Sequence, residues 1–351
     1  MLAPLMSAKC AMLNLPYYPN PGDAMIWLGM EQFMAKHGVE CVYRASAETY
    51  EYRELGADVT ICFVGGGNLG DLWCKKEEQP VCNVARMYPN NRIVVFPQSV
   101  FYENEERMRQ DAEILANHPD LYICARDKRS YALLIEHFSK NHILLVPDMA
   151  LYLELNIAPM ANTNRTLFLK REDKEACDYR GLEIGDAEIS EWPMMVFDKD
   201  IESRYKEETA LRRKWFMLLS KIMPSSCTVG IYQLLSKDFW ARVMHGSLTQ
   251  YERWQNILCE YVFIYFAAAE RGRGLNSLFD WFARTYFMPE LVNYAMNFIN
   301  LYDKIITTRL HSGVMGMQLG KEVVFVDNSY GKISALYETW LCEEENVSMN
   351  N

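Results

Sequence analysis

The segment Lys304-Ile-Ile-Thr-Thr-Arg-Leu-His-Ser-Gly-Val-Met-Gly316 holds the residue types best suited to chemistry. Its first five residues read as a short buried strand, and a glycine-punctuated helix follows. Arg309 and His311 fall at the junction. An anion placed there meets the positive end of a helix, backbone N–H groups and a permanent cation. Histidine adds a side chain that exchanges a proton near neutral pH. The spacing points to a site that holds a phosphate or carboxylate while protons move.

Other polar clusters also follow apolar runs. Val59–Val64 leads into Gly65-Gly-Gly-Asn-Leu-Gly-Asp71. Gly65-x-Gly67-x-x-Gly70 fits the dinucleotide fingerprint, but the next strand ends in Phe96-Pro97-Gln98, with no acid to hold a ribose. Nicotinamide or flavin binding is therefore not expected. A tight turn with close backbone packing explains the glycines equally well, while Asn68 and Asp71 suit a loop that faces a ligand. Asp23, in Asn20-Pro-Gly-Asp23, taken alone caps the helix expected over Ala24–Lys36. Arg126-Asp127 taken alone fits a surface ion pair, and Lys332 a solvated lysine. His37, His118, His137, His142 and His245 show no partner pattern and read as structural or surface residues.

What must position these residues is a repeated theme of apolar strand, polar turn and helix. The strands are read at Val59–Val64, Arg92–Phe96, Leu121–Ala125, His142–Val146, Arg165–Leu169, Met194–Phe197, Lys304–Thr308 and Glu322–Val326. A helix is read from about Lys128 to Phe138. Strands alternating with helices imply parallel sheets covered on both faces, with ligands beyond the carboxyl ends of the strands. The fold class is α/β: two Rossmann-like parallel-sheet domains facing a cleft. Their expected spans are 1–155 and 165–340. Asn156–Asn164 reads as the linker. Between about 201 and 302 the strand signal fades into mixed aromatic, aliphatic and basic residues, a mostly helical insertion in the second domain.

Composition narrows the function. The 351 residues are 50% apolar and 23% charged, with a net charge of −10, which argues against a general nucleic-acid binder. The ten cysteines form no Cys-x-x-Cys pair and no zinc spacing, so reduced thiols in a cytoplasmic protein are expected. The N-terminal stretch has one lysine, Lys9, and no long apolar core, so no signal peptide is expected. The apolar run Tyr261–Ala269 is far below the roughly 20 residues a membrane helix needs.

Taken in order, the motifs are more specific than any one of them. They are Asn-x-Gly-Asp (20–23), Gly-Gly-Gly-Asn-x-Gly-Asp (65–71), Phe-Pro-Gln-Ser (96–99), Ala-Arg-Asp-x-x-Ser (125–130), Pro-Asp (147–148), Arg-x-Asp-x-Glu (171–175), Thr-x-Arg-Leu-His-Ser (307–312) and Tyr-Gly-Lys (330–332). This set resembles the polysaccharide pyruvyl transferase family over about 14–155, 165–198 and 303–340. The resemblance implies transfer of pyruvate from phosphoenolpyruvate to two sugar hydroxyls, forming a cyclic ketal in a capsular, exopolysaccharide or cell-wall precursor. It implies a fold similar to the B-type glycosyltransferases. Arg126, Arg309, His311 and Lys332 match the family's anion-binding or catalytic set. His311 is the candidate acid, and Asp23 or Asp71 the candidate base. Asn20, Gly22, Gly66, Gly67, Asn68, Gln98, Ser99, Arg171 and Ser312 fall at substrate-facing motif positions. Arg171, Asp173 and Glu175 read as ordering the cleft.

No metal or cofactor is expected, since the cations can neutralise the donor. The alternatives on such a scaffold are a sugar-nucleotide glycosyltransferase and a non-catalytic binding protein. A lipid-linked acceptor would favour peripheral membrane contact. Its expected patch is Trp215, Phe216, Phe239, Trp240 and Trp254, beside Lys214, Lys221, Lys237, Arg242 and Arg253.

Overall fold

The computed structural model describes every residue except 75–77, 157–162, 174, 177–181, 193, 272–274 and 351. Most of the linker read in the sequence thus lies outside the described residues. By backbone proximity the chain divides into two compact units. One comprises Met1–Pro16, Met25–Trp192 and Asn297–Asn351 and contains both sheets; the other comprises Tyr17–Ala24 and Pro193–Met296.

The first sheet has seven strands: β1 (Lys9–Leu13), β2 (Glu40–Ala45), β3 (Val59–Phe63), β4 (Gly66–Gly70), β5 (Ile93–Phe101), β6 (Leu121–Ala125) and β7 (His142–Leu145). Their order is β2-β1-β3-β5-β6-β7, with β4 paired to β5, and every pairing is parallel. The helices are α1 (Pro21–Lys36), α2 (Pro80–Met87), α3 (Glu105–Ala116) and α4 (Lys128–His137). All five residues of β3 are buried, as a central strand covered on both faces requires. Ile61, Phe63, Val95, Ile123 and Leu134 belong to the core that results.

Proline lacks the N–H that a ladder needs, and Pro97 lies inside β5. The pairing of β5 with β6 shifts between Val95 and Gln98, so Gln98 meets Ala125. The residues after the shift, Gln98 and Ser99, are set beside Arg126 at the end of β6. The glycine run does not open a helix, as a dinucleotide fingerprint would. It forms β4, whose Gly66 pairs with Gln98. Gly70 has φ +124°, and a Cβ there would overlap the carbonyl oxygen of Phe101, so close backbone packing requires glycine.

The second sheet has five parallel strands in the order β12-β11-β10-β8-β9. It begins with β8 (Thr166–Leu169) and the edge strand β9 (Glu188–Ser190). After the helical unit the chain returns as β10 (Lys304–Thr307), α10 (Leu310–Gln318), β11 (Glu322–Val326), α11 (Lys332–Leu336) and β12 (Val347–Asn350). Met194–Phe197, expected as a strand, is not one; β9 takes the edge instead. β1, β2, β4, β9 and β12 were not legible as strands; β2, β9 and β12 lie at sheet ends, whereas β1 runs between β2 and β3. The edge strands β2 and β9 are only partly buried and lack the continuous apolar run of a central strand.

The helical unit contains α5 (Lys199–Ile222), α6 (Thr228–His245), α7 (Gln250–Arg271), α8 (Asn276–Phe282) and most of α9 (Met288–Asn300). Asp198 starts α5 by accepting from the N–H groups of Asp200 and Ile201. At its centre Glu260 is fully buried and accepts two bonds from Arg212, at 2.8 and 2.9 Å. Tyr205 and Tyr232 also donate to it, Tyr232 at 2.5 Å. Burial, reinforced by Glu260, raises both phenols well above their ordinary pKa. Phe216, Phe239, Trp240 and Trp254 are core residues of this unit, which removes them from the expected membrane patch. Glu260→Ala leaves a buried arginine unpaired and should destabilise the protein by about 3–5 kcal/mol. Urea unfolding followed by circular dichroism measures it; a loss below about 1 kcal/mol would show that the network contributes little.

Candidate active site

Arg126 follows the last residue of β6, and its side chain is fully buried. Its Nη1 donates to Asp148 Oδ2 at 2.6 Å, and its Nε to Ser99 Oγ at 2.8 Å. Ser99 in turn donates to Asp127 Oδ2 at 2.7 Å, and Asp127 caps α4 by accepting from Ser130 N. The guanidinium is thereby held on two sides. Its third nitrogen, Nη2, is buried and has no hydrogen-bond partner among the described residues. A buried donor left unpaired costs stability, so its retention needs a reason.

Gly67 shows where Nη2 points. A Cβ built on Gly67 would lie 3.6 Å from Arg126 Nη2 and 3.1 Å from Lys332 Nζ. Two cations thus converge on the backbone of the glycine loop. Lys332 opens α11, and its N–H donates to Asn328 Oδ1 at 2.8 Å. Its ammonium lies 3.7 Å from Glu175 Oε2.

Asp148 connects this cation to the second sheet. It follows Pro147 after β7, and its Oδ2 lies 3.4 Å from His311 Nε2. Burial alone would raise the pKa of Asp148, but Arg126 and His311 hold it well below the usual carboxylate range. His311 sits in the first turn of α10 and is largely buried. Trp340 Nε1 donates to the carbonyl of Arg126 at 2.7 Å, and Arg129 Nη1 to that of Tyr330 at 2.5 Å, so the C-terminal segment is bonded across to α4.

A second group surrounds Glu175, which is 1% exposed. Arg171 Nη1 and Asn328 Nδ2 donate to its Oε2, and Trp73 Nε1 to its Oε1 at 3.0 Å. Burial alone would raise the Glu175 pKa, but Lys332 and Arg171 hold it below the usual range. Arg171 also grips Asp173 with two bonds of 2.9 Å.

The remaining sequence candidates fall elsewhere. Arg309 is the residue before α10, and its Nη2 is bound by both oxygens of Glu191 at 2.9 and 3.0 Å. Its Nε is buried without a partner. Ser312 is buried and bonds Thr307 Oγ1 at 2.6 Å and the Arg309 carbonyl at 2.8 Å, so it locks the strand-to-helix turn. Gln98 bridges Val64 O and Asn68 N, which fixes the start of β4. Asp71 accepts from the N–H groups of Glu103 and Asn104 and anchors the turn before α3. Asn20, Gly22 and Asp23 group with the helical unit. There Asp23 Oδ2 accepts from Asn20 Nδ2 at 2.7 Å and Tyr18 OH at 2.9 Å, and Asn20 Oδ1 from Gly22 N at 3.0 Å. The residues with no role assigned from sequence are Asp148, Glu191, Trp73 and Asn328. Only Asp148 carried a signal, as the polar residue at a strand end.

Parallel sheets with a half-paired arginine, a lysine and a histidine at their strand ends define an α/β enzyme scaffold suited to an anionic substrate. The comparisons make the class specific. The chain belongs to the polysaccharide pyruvyl transferase family, whose model matches residues 20–213. It is similar to a Bacillus subtilis (strain 168) protein named "Putative pyruvyl transferase EpsO", 28% identical over 93% of this chain and 84% of that one. It is also similar to "Pyruvyl transferase 1" of Schizosaccharomyces pombe, 30% identical over 50% of this chain and 47% of the yeast protein. A solved structure of a functionally uncharacterised Klebsiella pneumoniae protein, KP1_0663, has a TM-score of 0.52 at 15% identity, covering 100% of this chain and 95% of that one. That likeness establishes the fold, which is consistent with a B-type glycosyltransferase arrangement. The protein is a transferase, and the family's activity is polysaccharide pyruvylation.

Asp148→Asn keeps the shape but leaves the Arg126 charge buried without a counter-charge. It should destabilise the protein by about 3–5 kcal/mol at neutral pH. The folded pKa of Asp148 is depressed, so its stabilisation is full above the ordinary aspartate value of ~4 and fades as pH falls through that value towards the folded one. The stability gap between parent and variant should therefore narrow between roughly pH 5 and pH 2. Urea unfolding at both ends of that window measures it.

Proposed function

We propose that the protein transfers pyruvate from phosphoenolpyruvate onto two hydroxyls of one sugar, forming a cyclic ketal and releasing inorganic phosphate. The observation that carries this reading is the buried, unpartnered Nη2 of Arg126 converging with Lys332 on Gly67. Phosphoenolpyruvate carries a carboxylate and a phosphate close together, and two fixed cations give it charge-assisted bonds. No resident metal or cofactor is called for, because these side chains neutralise the donor.

The reaction begins with a proton delivered to the vinyl carbon, which becomes a methyl group. The neighbouring carbon turns electrophilic, and one sugar hydroxyl bonds to it as its proton passes to a base. Phosphate leaves with the C–O bonding pair, and the second hydroxyl closes the ketal as its proton passes to the imidazole that gave up the first. His311, oriented by Asp148, is the acid. Arg126 and Lys332 stabilise the departing phosphate. Asp71 is the candidate base, and Arg309 is a further donor contact once an anion competes with Glu191. The acceptor lies on the side of the first sheet.

Arg309→Ala and Lys332→Ala should each weaken phosphoenolpyruvate binding by about 1.5–3 kcal/mol, one to two decades. His311→Ala should mainly lower turnover. Calorimetry with phosphoenolpyruvate and phosphate release with a panel of glycan acceptors measure these effects. Near-normal behaviour in all three variants, or turnover of UDP-sugars in place of phosphoenolpyruvate, would overturn the assignment.

The acceptor proposed is a capsular, exopolysaccharide or cell-wall precursor, carried on lipid at the cytoplasmic face of the membrane. No helix among the described residues is long and apolar enough to cross a bilayer. On α5, however, Leu211, Trp215, Leu218 and Ile222 recur on one face and are 67, 49, 47 and 72% exposed. Lys214 and Lys221 lie beside them and are exposed. An apolar stripe with flanking lysines fits an anionic lipid surface. The protein should float with anionic liposomes at low salt and be released at high salt. Lys214→Glu with Lys221→Glu should abolish flotation; flotation that persists in the double variant would exclude this face.

A further inference from the structure

A recess opens beside the glycine loop, with Asn68 and Leu69 among its lining residues. It has a volume of about 230 Å³ and lies at the carboxyl ends of β1 and β3. Asn14, Ala47, Val64, Asn68, Trp73 and Cys74 are among the residues that line it. Ligands of parallel sheets bind at such strand ends.

Three features suit it to a sugar. Trp73 lines it and is 42% exposed, a large flat apolar surface at the mouth. Asn14 and Asn68 line it with side-chain amides that bond to nothing else among the described residues. Each amide offers two donors and an acceptor, the set that sugar hydroxyls need. Asn14 is also held at φ +62°, a left-handed conformation that asparagine tolerates at some cost. The apolar C–H face of a pyranose packs on an indole while amides bond its edge. The volume is below the roughly 300 Å³ at which drug-sized pockets begin, so the recess suits one ring, with any further glycan outside.

Its position ties it to the cation pair. Asn68 is the residue after Gly67, on which Arg126 and Lys332 converge. Trp73 donates to Glu175, whose other oxygen lies 3.7 Å from Lys332 Nζ.

We infer that this recess holds the terminal hexopyranose ring of the acceptor, stacked on Trp73 and hydrogen-bonded by Asn14 and Asn68. The inference rests on the pyruvyl-transfer reading for the ring's role as acceptor. The ring would present two hydroxyls across Gly67 to the donor carbon, and Trp73 is the residue that selects the sugar.

The test measures sugar and donor binding separately on the full chain. Saturation-transfer NMR with methyl glycosides of galactose, glucose, mannose and their N-acetylamino forms reports sugar binding; calorimetry with phosphoenolpyruvate reports the donor. At least one glycoside should bind the parent, with its C–H protons on one face most strongly saturated. Trp73→Ala should weaken that glycoside about tenfold or more, and Trp73→Phe should restore part of the loss. Phosphoenolpyruvate affinity should change less than about threefold in either variant, far below the loss of a charge-assisted contact. Binding of the glycoside unaffected by Trp73→Ala, or no glycoside bound by the parent, overturns the sugar site. Absence of phosphoenolpyruvate binding in the parent instead overturns the transferase reading and leaves the sugar result to stand by itself.

Discussion

The buried pair of Arg126 and Asp148 is the interaction on which the site depends. Two charges removed from water pay a desolvation penalty that only close, well-hydrogen-bonded geometry offsets. Here the carboxylate meets Arg126 at 2.6 Å and also accepts from Ala150 N at 2.8 Å. The arginine is further fixed by Ser99. Being held on two sides, the guanidinium has no freedom to fold its remaining nitrogen back onto the protein. The orphaned Nη2 is therefore a consequence of the pair, and it is the group on which the proposed donor site rests.

The same pair also joins the two sheets chemically. Asp148 belongs to the segment after the first sheet's edge strand, and the oxygen that binds Arg126 also faces His311 of the second sheet. One carboxylate thus orients both the anion-binding cation and the candidate acid. Movement of either sheet's loop would be felt by the other through that oxygen. The bonds from Trp340 to Arg126 O and from Arg129 to Tyr330 O hold the C-terminal segment, and with it Lys332, in the same frame.

Glu175 plays the corresponding part for Lys332. It is buried, it is surrounded by Arg171, Lys332, Asn328 and Trp73, and its charge is stabilised by them. Its neighbours are a cation of the anion site and the aromatic wall of the adjacent recess. A single acid thus sets the position of a charged contact and of an apolar one, the two kinds of contact that a reaction between an anionic donor and a sugar requires.

The alternation of strand and helix, the all-apolar central strands and the polar residues at their carboxyl ends are local properties, and for that reason the parallel α/β architecture was legible in the sequence. Arg126 and Lys332 stood out only through the ordered motif set; taken alone they fitted a surface ion pair and a solvated lysine, whereas Arg126 is fully buried and Lys332 largely so. The edge strands β2 and β9 were not legible, since their partly buried residues carry little apolar pattern, and β9 takes the edge in place of the strand expected at Met194–Phe197. Nor did local sequence distinguish Ser312, which locks a turn, from Ser99, which bonds Arg126. The partners of a buried charge are chosen by tertiary packing, which brings Asp148 to Arg126 across 22 residues and to His311 across 163. The same packing buried Trp240 and Trp254 while leaving Trp73 and Trp215 exposed. Composition records that tryptophans and cations are present; only the folded chain decides which of them meet each other and which are left to meet a ligand.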